Sequence, residues 1–178
     1  LIENENTIVS DTSTAHRTNE GWAYGFPELS EEFETKLKNS KRIAVPGCYA
    51  SGFIALVKPL VDAGIVDKDI CIACHALSGY SGAGKNGIAQ YEDENRDVLL
   101  DAPREYALTQ QHKHLKEMQK ITGLKNAPIF CPIVSDFYSG MMVTVPIFAS
   151  QLKSGKTVDD IKALYSQKYN TNIVKYES

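Results

Sequence analysis

The chain has 178 residues, 43% of them hydrophobic and 23% charged, which suits a globular protein with one full core or one core and part of another. Its net charge of −3 gives no electrostatic reason to expect nucleic acid or an anionic membrane as partner. No apolar run approaches the roughly 20 residues that span a bilayer. The start, LIENENTIVSD, lacks the basic and apolar stretches of a secretory signal, and the absence of an initial Met is expected of a piece of a longer protein.

Thr7 to Ser10 reads as a short strand followed by a polar turn, Asp11 to Arg17. An aromatic loop, WAYGFPEL, spans Trp22 to Leu29, and Ser30 can cap a helix with Phe33 and Leu37 on one face. Lys41 to Val45 is a strand, Pro46-Gly47 a sharp turn, and a helix follows from about Cys48 to Ala63. Its apolar residues Phe53, Ile54, Leu56, Val57, Leu60 and Val61 form a stripe wide enough for a helix buried against a sheet. Gly64 stops it, and Pro59 should kink it or loosen a turn.

Asp69 to Leu77 is a continuous apolar run, expected as a strand buried on both faces, and it leads into a glycine-rich loop, Ser78 to Lys85. Asn86 to Leu108 is polar and expected to be irregular with a short helix. A helix is expected from His112 to Ile121, ended by Gly123, with strands at Ile129 to Val134 and Gly140 to Ala149, the second ending at an edge because of Pro146. Thr157 to Asp160 has the form of a capping box before an apolar helical face, and Ile173 to Tyr176 is expected as a last strand. The class is therefore α+β, a mixed sheet covered by helices.

Four cysteines are too few for a disulfide framework at this length. Cys71, Cys74 and Cys131 lie in apolar runs and are expected to be buried as small hydrophobes in a reducing cytoplasm. Cys48 differs. Placed after Pro-Gly at a strand-to-helix turn, its sulfur meets the helix N-terminus, where unpaired N–H groups favour a thiolate and can hold an oxyanion beside it. That suits attack on an acyl carbon.

A cysteine nucleophile needs a base. His75 reads as a core histidine and His16 as a solvated one; His112 and His114 flank Lys113 and would lie on different faces of a helix, so that at most one easily points at Cys48, whereas in an extended segment they would share a face and could bind metal. No metal site is expected, because no other His or carboxylate has suitable spacing. Gly79 to Asn86 nearly matches a phosphate-binding loop, but Asn86 replaces the hydroxyl that would ligate Mg²⁺, which argues against a nucleotide triphosphatase and leaves a backbone nest or a plain loop. Arg17 could hold a carboxylate or phosphate, although taken alone it reads as a surface charge. The residues alone thus reach a thiol acyl-transfer site with anion-binding groups.

Six stretches in order, DTSTAHR, W-x-YGFPEL, A-V-PGCYASG, HALSGYSGAGK, APREYALTQQHKH-x-x-EM and PI-x-SDFYSGMMVTVP, resemble the N-acetyl-γ-glutamyl-phosphate reductase family, related to the aspartate-semialdehyde dehydrogenases. The resemblance implies an NADPH-dependent oxidoreductase of arginine biosynthesis, acting through a Cys48 thioester on an acyl phosphate and releasing inorganic phosphate. It implies His114 or His112 as acid–base group, His114 favoured, with Glu117 orienting the imidazole from one helical turn away. Arg17, Tyr24, Tyr106 and Gly47 would contact substrate, and Ser78, Gly79, Ser81 and Gly82 would wall the nicotinamide. It also implies that 1–40 is the end of an NADP-binding Rossmann domain and linker, that 41–178 is a catalytic and dimerisation domain, and that the protein is a homodimer or homotetramer. Val45 stands where some members have Asn, and Lys116 where Pro is common. The alternatives are an aspartate-semialdehyde dehydrogenase type of enzyme, a cofactor-free cysteine hydrolase, or a non-catalytic assembly domain.

Overall fold

A computed structural model describes residue 4 and residues 6–177. The first part is a small parallel sheet of β1 (Val9–Asp11), β2 (Ala23–Tyr24) and β3 (Arg42–Ala44), with β3 in the centre, and helix α1 (Glu31–Asn39) precedes β3. Ser30 caps α1 as its sequence predicts, its side chain accepting from the Phe33 N–H. The division expected at 40/41 cuts through this sheet, because β3 pairs with both β1 and β2.

The chain turns at Gly47 into α2 (Cys48–Asp62), the central helix. Phe53, Ile54, Val57, Leu60 and Val61 are all buried along one side. Each such side chain stabilises the fold by about 1.5–3 kcal/mol, which makes this stripe the main reason the helix sits where it does. Pro59 stays inside α2. Its missing N–H leaves the carbonyl of Ala55 without its helical donor, and the Tyr169 hydroxyl donates to that oxygen at 2.6 Å. Tyr165 donates to the next carbonyl, Leu56, at 2.5 Å. Tyr165 belongs to α5 (Val158–Lys168), capped by Thr157 and Asp160 as expected, and Tyr169 follows it. Tyr169→Phe should therefore lower stability by about 0.5–1.5 kcal/mol, the net contribution of a part-buried hydrogen bond, read as a lower urea midpoint at unchanged slope.

The second sheet has the order β5 (Arg104–Glu105), β6 (Ile129–Ser135), β4 (Ala73–Gly79), β7 (Met141–Thr144), parallel between β4 and β6 and antiparallel at both edges. Mixed sheets with helices give the α+β class expected. Strand β4 begins at Ala73, later than Asp69, and alternates: Cys74, Ala76 and Ser78 are buried whereas His75 is exposed. No described element covers the other face, so His75 is not a core histidine, Cys71 is exposed and Cys131 is half-buried; of the three cysteines expected inside, Cys74 alone is buried. Burial pushes the Cys74 thiol up to about 12.

The glycine-rich stretch is helical where a loop was expected. A 3₁₀ turn, Tyr80–Ala83, runs into α3 (Gly84–Glu92), whose buried Tyr91 stacks on Tyr80 at 4.8 Å. The helix after the histidines, α4 (Leu115–Thr122), starts later than expected, and β7 is shorter. The last strand is reduced to an isolated bridge between Asn170 and Lys175. Among the described residues, no helix is long and apolar enough to cross a membrane.

Candidate active site

Cys48 is the first residue of α2 and is exposed, at the edge of a cleft of about 570 Å³ also lined by Arg17, Gly47, Tyr49, Ser78, Gly82, Arg104, Tyr106, His112 and His114. The first helical bond runs from the Ser51 N–H to the Gly47 carbonyl at 2.8 Å, so the N–H groups of Cys48, Tyr49 and Ala50 precede the helical ladder. Gly47 has ordinary extended angles, φ −74° and ψ 144°. What demands glycine there is space: an added Cβ would overlap His114 Nε2 and lie 2.6 Å from Arg17 Nη1.

Both histidines face this cleft, contrary to the expectation that helical geometry would separate them. The helix begins only after His114, so the two rings lie 4.7 Å apart on a non-helical approach. His112 Nδ1 accepts from the His114 backbone N–H at 3.1 Å, so a neutral His112 carries its proton on Nε2 and presents a donor. His114 is buried, with Nδ1 unpartnered among the described residues and Nε2 against the Gly47 turn. Burial first, then the charges of His112, Arg17 and Lys113, push the His114 imidazole down to about 3; burial and then Lys113 lower His112 as well. Both are neutral at pH 7.

This has a consequence for stability. Unfolded, His114 takes up a proton below about pH 6.5, whereas the folded protein resists it down to about 3. The stabilisation it confers is therefore complete above 6.5 and is lost as the pH falls toward 3, at up to about 1.4 kcal/mol per pH unit. Urea midpoints should fall between pH 7 and 5, and His114→Gln should flatten that fall.

Among the described residues Glu117 makes no hydrogen bond to either imidazole. Its Oε1 accepts from the Tyr24 hydroxyl at 2.7 Å and from the Gly47 N–H at 2.8 Å, and its Oε2 from Arg17 Nη1 at 3.1 Å. These three donors hold a fully buried carboxylate and tie α4 to the turn before Cys48. Tyr24 is buried with its hydroxyl held on Glu117, and it is not among the residues that line the cleft. Arg17 lines the cleft but is no surface charge, being buried with Nε on the Val45 carbonyl at 2.8 Å and Nη2 on the Thr12 carbonyl at 2.7 Å. Its charge is already balanced by Glu117.

Of the residues expected at the nicotinamide, Ser78 and Gly82 line the cleft, whereas Gly79 and Ser81 do not. Gly79 instead lets β4 pass the backbone of Phe137 and Tyr138, where a Cβ would overlap their carbonyls, and the Ser81 N–H donates to the Tyr138 carbonyl at 3.0 Å. Tyr106 is in the cleft as expected, and its hydroxyl donates to the Tyr49 hydroxyl at 3.2 Å, which in turn pairs with Ser78 Oγ at 2.7 Å. Burial, then Tyr49, then the Cys48 thiol drive the Tyr106 hydroxyl above the ordinary phenol range.

Two residues with no role assigned from sequence belong to this arrangement. Tyr49 carries the hydroxyl chain and packs edge-on against His112, His114 and Phe130. Gln110, at φ +57°, donates from Nε2 to the Phe130 carbonyl at 2.8 Å and accepts the Phe130 N–H on Oε1 at 2.7 Å. Its side chain thus replaces a strand neighbour for β6 and fixes the segment leading to His112. The TQQ before HKH was the available signal, but nothing in it marks a left-handed backbone. Among the described residues, no three His, Cys, Asp or Glu side chains converge as a metal site.

The chain is 43% identical over 171 residues to proteins named N-acetyl-gamma-glutamyl-phosphate reductase from Brucella ovis and Brucella canis, matching 95% of this chain and 55% of each relative. It thus spans about half the length of the curated relatives it matches. Solved structures with the same fold include aspartate semialdehyde dehydrogenase II from Vibrio cholerae, with TM-score 0.65 and 17% identity over 90% of this chain and 53% of that one. The aspartate semialdehyde dehydrogenase of Francisella tularensis gives 0.63 and 14% over 92% and 56%, and that of Candida albicans, solved with NADP, gives 0.57 and 17% over 91% and 49%. At those identities the likeness shows the fold. The model of the semialdehyde dehydrogenase dimerisation domain matches residues 48–175, from the cleft cysteine nearly to the end, and the chain belongs to that family.

Proposed function

We propose that this chain is the catalytic-cysteine part of an N-acetyl-γ-glutamyl-phosphate reductase. The observation that carries the reading is an exposed Cys48 at the start of a buried helix, sharing a cleft with a neutral, buried His114. The Sγ lone pair forms a bond to the acyl carbon of N-acetyl-5-glutamyl phosphate, the carbon–oxygen bond to phosphate breaks, and phosphate leaves. The first N–H groups of α2 stand ready for the oxygen that gains charge. His114 is the acid–base group; the neutral imidazole accepts a proton at Nε2 beside the Gly47–Cys48 turn and returns it. His112, a donor at Nε2, polarises or orients.

NADPH fits the wall of the cleft on one count: a Cβ on Gly82 would meet no protein atom closer than Ser78 Oγ at 3.7 Å, although Gly82 lines the cleft, so the space beside it is open to a ligand. Ser78 and Gly82 would hold the nicotinamide edge, and the cofactor when bound would supply a hydride to the thioester carbon. The carbon–sulfur bond would then break, releasing N-acetylglutamate 5-semialdehyde and returning the Cys48 thiolate. The glycine-rich turn for the pyrophosphate would belong to a Rossmann domain of which the parallel sheet β1–β3–β2 is the end. The uncovered face of the second sheet, with His75, the 62% exposed Ile129 and the 59% exposed Met142, is where a second copy would pack to make a homodimer, alone or within a tetramer. Four free thiols suit a reducing cytoplasm.

The test is the reverse reaction in the complete protein. N-acetylglutamate 5-semialdehyde should reduce NADP only when phosphate is present, and Cys48→Ser should be silent. Turnover by Cys48→Ser, or a preference for aspartate semialdehyde, would refute the proposal.

A further inference from the structure

Strand β4 lies between β6 and β7, so the connection that joins those two, residues 136–140, has to cross the end of β4. In crossing, it turns three carbonyls onto the chain that leaves the strand. The Gly79 N–H donates to the Gly140 carbonyl at 3.0 Å, the Tyr80 N–H to that of Phe137 at 2.9 Å, and the Ser81 N–H to that of Tyr138 at 3.0 Å. A Cβ on Gly79 would lie 2.5 Å from the Phe137 oxygen, so the two segments meet backbone to backbone. Ser78 and Gly82, on either side of this triplet, line the cleft. The form of that wall is therefore set by where residues 136–140 lie.

Arg96 fixes that connection at its first residue. Its Nη1 and Nη2 donate to the two carboxylate oxygens of Asp136 at 2.8 and 2.6 Å, a bidentate pair. The same guanidinium donates to Asp101 Oδ1 at 2.6 Å and to the Tyr91 carbonyl at 3.0 Å. It thus joins the connection to the last turn of α3 and to the 3₁₀ turn Val98–Asp101. Among the described side-chain hydrogen bonds, those of Asp136 are the ones that tie 136–140 to another part of the chain. An isolated surface ion pair contributes little, but this one is bidentate and shared with a second acid. We propose that Arg96 and Asp136 are positioning residues for the cofactor: by pinning 136–140 across the end of β4, they keep the wall from Ser78 to Gly82 in the form that receives the nicotinamide. Neither residue lines the cleft, so both act through the backbone bonds at Gly79, Tyr80 and Ser81. This rests on the reading of Ser78 and Gly82 as the nicotinamide wall, and it leaves the Cys48 side of the cleft untouched.

The test compares Asp136→Asn with the unaltered complete protein. The asparagine amide sets N–H donors against the guanidinium, so the connection is released. In the cofactor-free protein, amide hydrogen exchange at Tyr80 and Ser81 should quicken by about 10-fold or more, while amides along the buried stripe of α2 stay as protected as before. A wall formed only about a tenth of the time raises the NADPH Kd by about 10-fold, read from NADPH fluorescence. Acylation of Cys48 by acetyl phosphate should keep its unaltered rate. Arg96→Lys retains the charge without the planar fork and should fall between the two proteins, which guards against misfolding of the asparagine variant. Exchange at Tyr80 and Ser81 unchanged in both variants would overturn the proposal, and so would faster exchange there with NADPH affinity intact. Parallel loss of α2 protection and of Cys48 acylation in both would overturn it as well, by showing general loosening. An unaltered protein that is acylated at Cys48 but binds no NADPH would count against the reading of the wall itself, and this proposal would fall with it.

Discussion

Gly47→Ala is expected to lose about 100-fold or more in the rate of Cys48 acylation while the protein remains folded. The alanine is compatible with the backbone, which is extended at this position. Its methyl is not compatible with the neighbours, since it would overlap His114 Nε2 and press on Arg17 Nη1. Neither can step aside freely: His114 is 3% exposed, and Arg17 is held at Nε, Nη1 and Nη2. The start of α2 must move instead, and with it Cys48 and the N–H groups beside it. Overpacking of this kind costs about 1–3 kcal/mol, which a well-packed domain survives, whereas a shift of about 1 Å in a reacting group reduces a rate by about 100-fold. Stopped-flow acylation alongside a urea curve separates the two effects. A folded variant reacting at the unaltered rate would show that the turn is not where the chemistry is positioned.

Glu117→Gln should be the most destabilising of the single changes in the site, by about 3–5 kcal/mol, the cost of leaving one half of a buried ion pair. Glu117 is 2% exposed and Arg17 has no other acid opposite it among the described ion pairs. The amide can still accept one bond from Tyr24 or Gly47, but it cannot balance the guanidinium and it brings N–H donors to face existing donors. Adding Arg17→Met to Glu117→Gln should recover much of the loss, because the stranded charge is then gone. A double variant as unstable as Glu117→Gln would show that the hydrogen bonds to Tyr24 and Gly47 outweigh the ion pair. A chemical-denaturation cycle over the four proteins measures this directly.

The parts of this molecule that were legible in its sequence are local. Ser30 and Thr157 cap the helices they were expected to cap, the apolar stripe of α2 is buried, and Pro-Gly before Cys48 does place the sulfur at a helix start. What was not legible depends on residues far apart in the chain. Glu117 meets Gly47, Tyr24 and Arg17 across separations of 70, 93 and 100 residues, partners that neither local spacing nor the role implied by the resemblance brings out. His112 and His114 share a cleft because Gln110 holds their approach out of helical form, a side-chain device that periodicity does not register. The continuous apolar run of β4 suggested two covered faces, but the chain covers one and leaves His75 and Cys71 exposed. Likewise α3 forms despite weak patterning, with its buried Tyr91 packed against Tyr80 and Leu100.

The most direct test of Cys48 as the nucleophile is to mix the protein with an acyl phosphate and weigh it. Acetyl phosphate should add one acyl group, released by hydroxylamine as a thioester is, with peptide mapping placing it on Cys48 and no adduct on Cys48→Ser. Acylation spread over Cys71, Cys131 and lysines, or equal in Cys48→Ser, would contradict it.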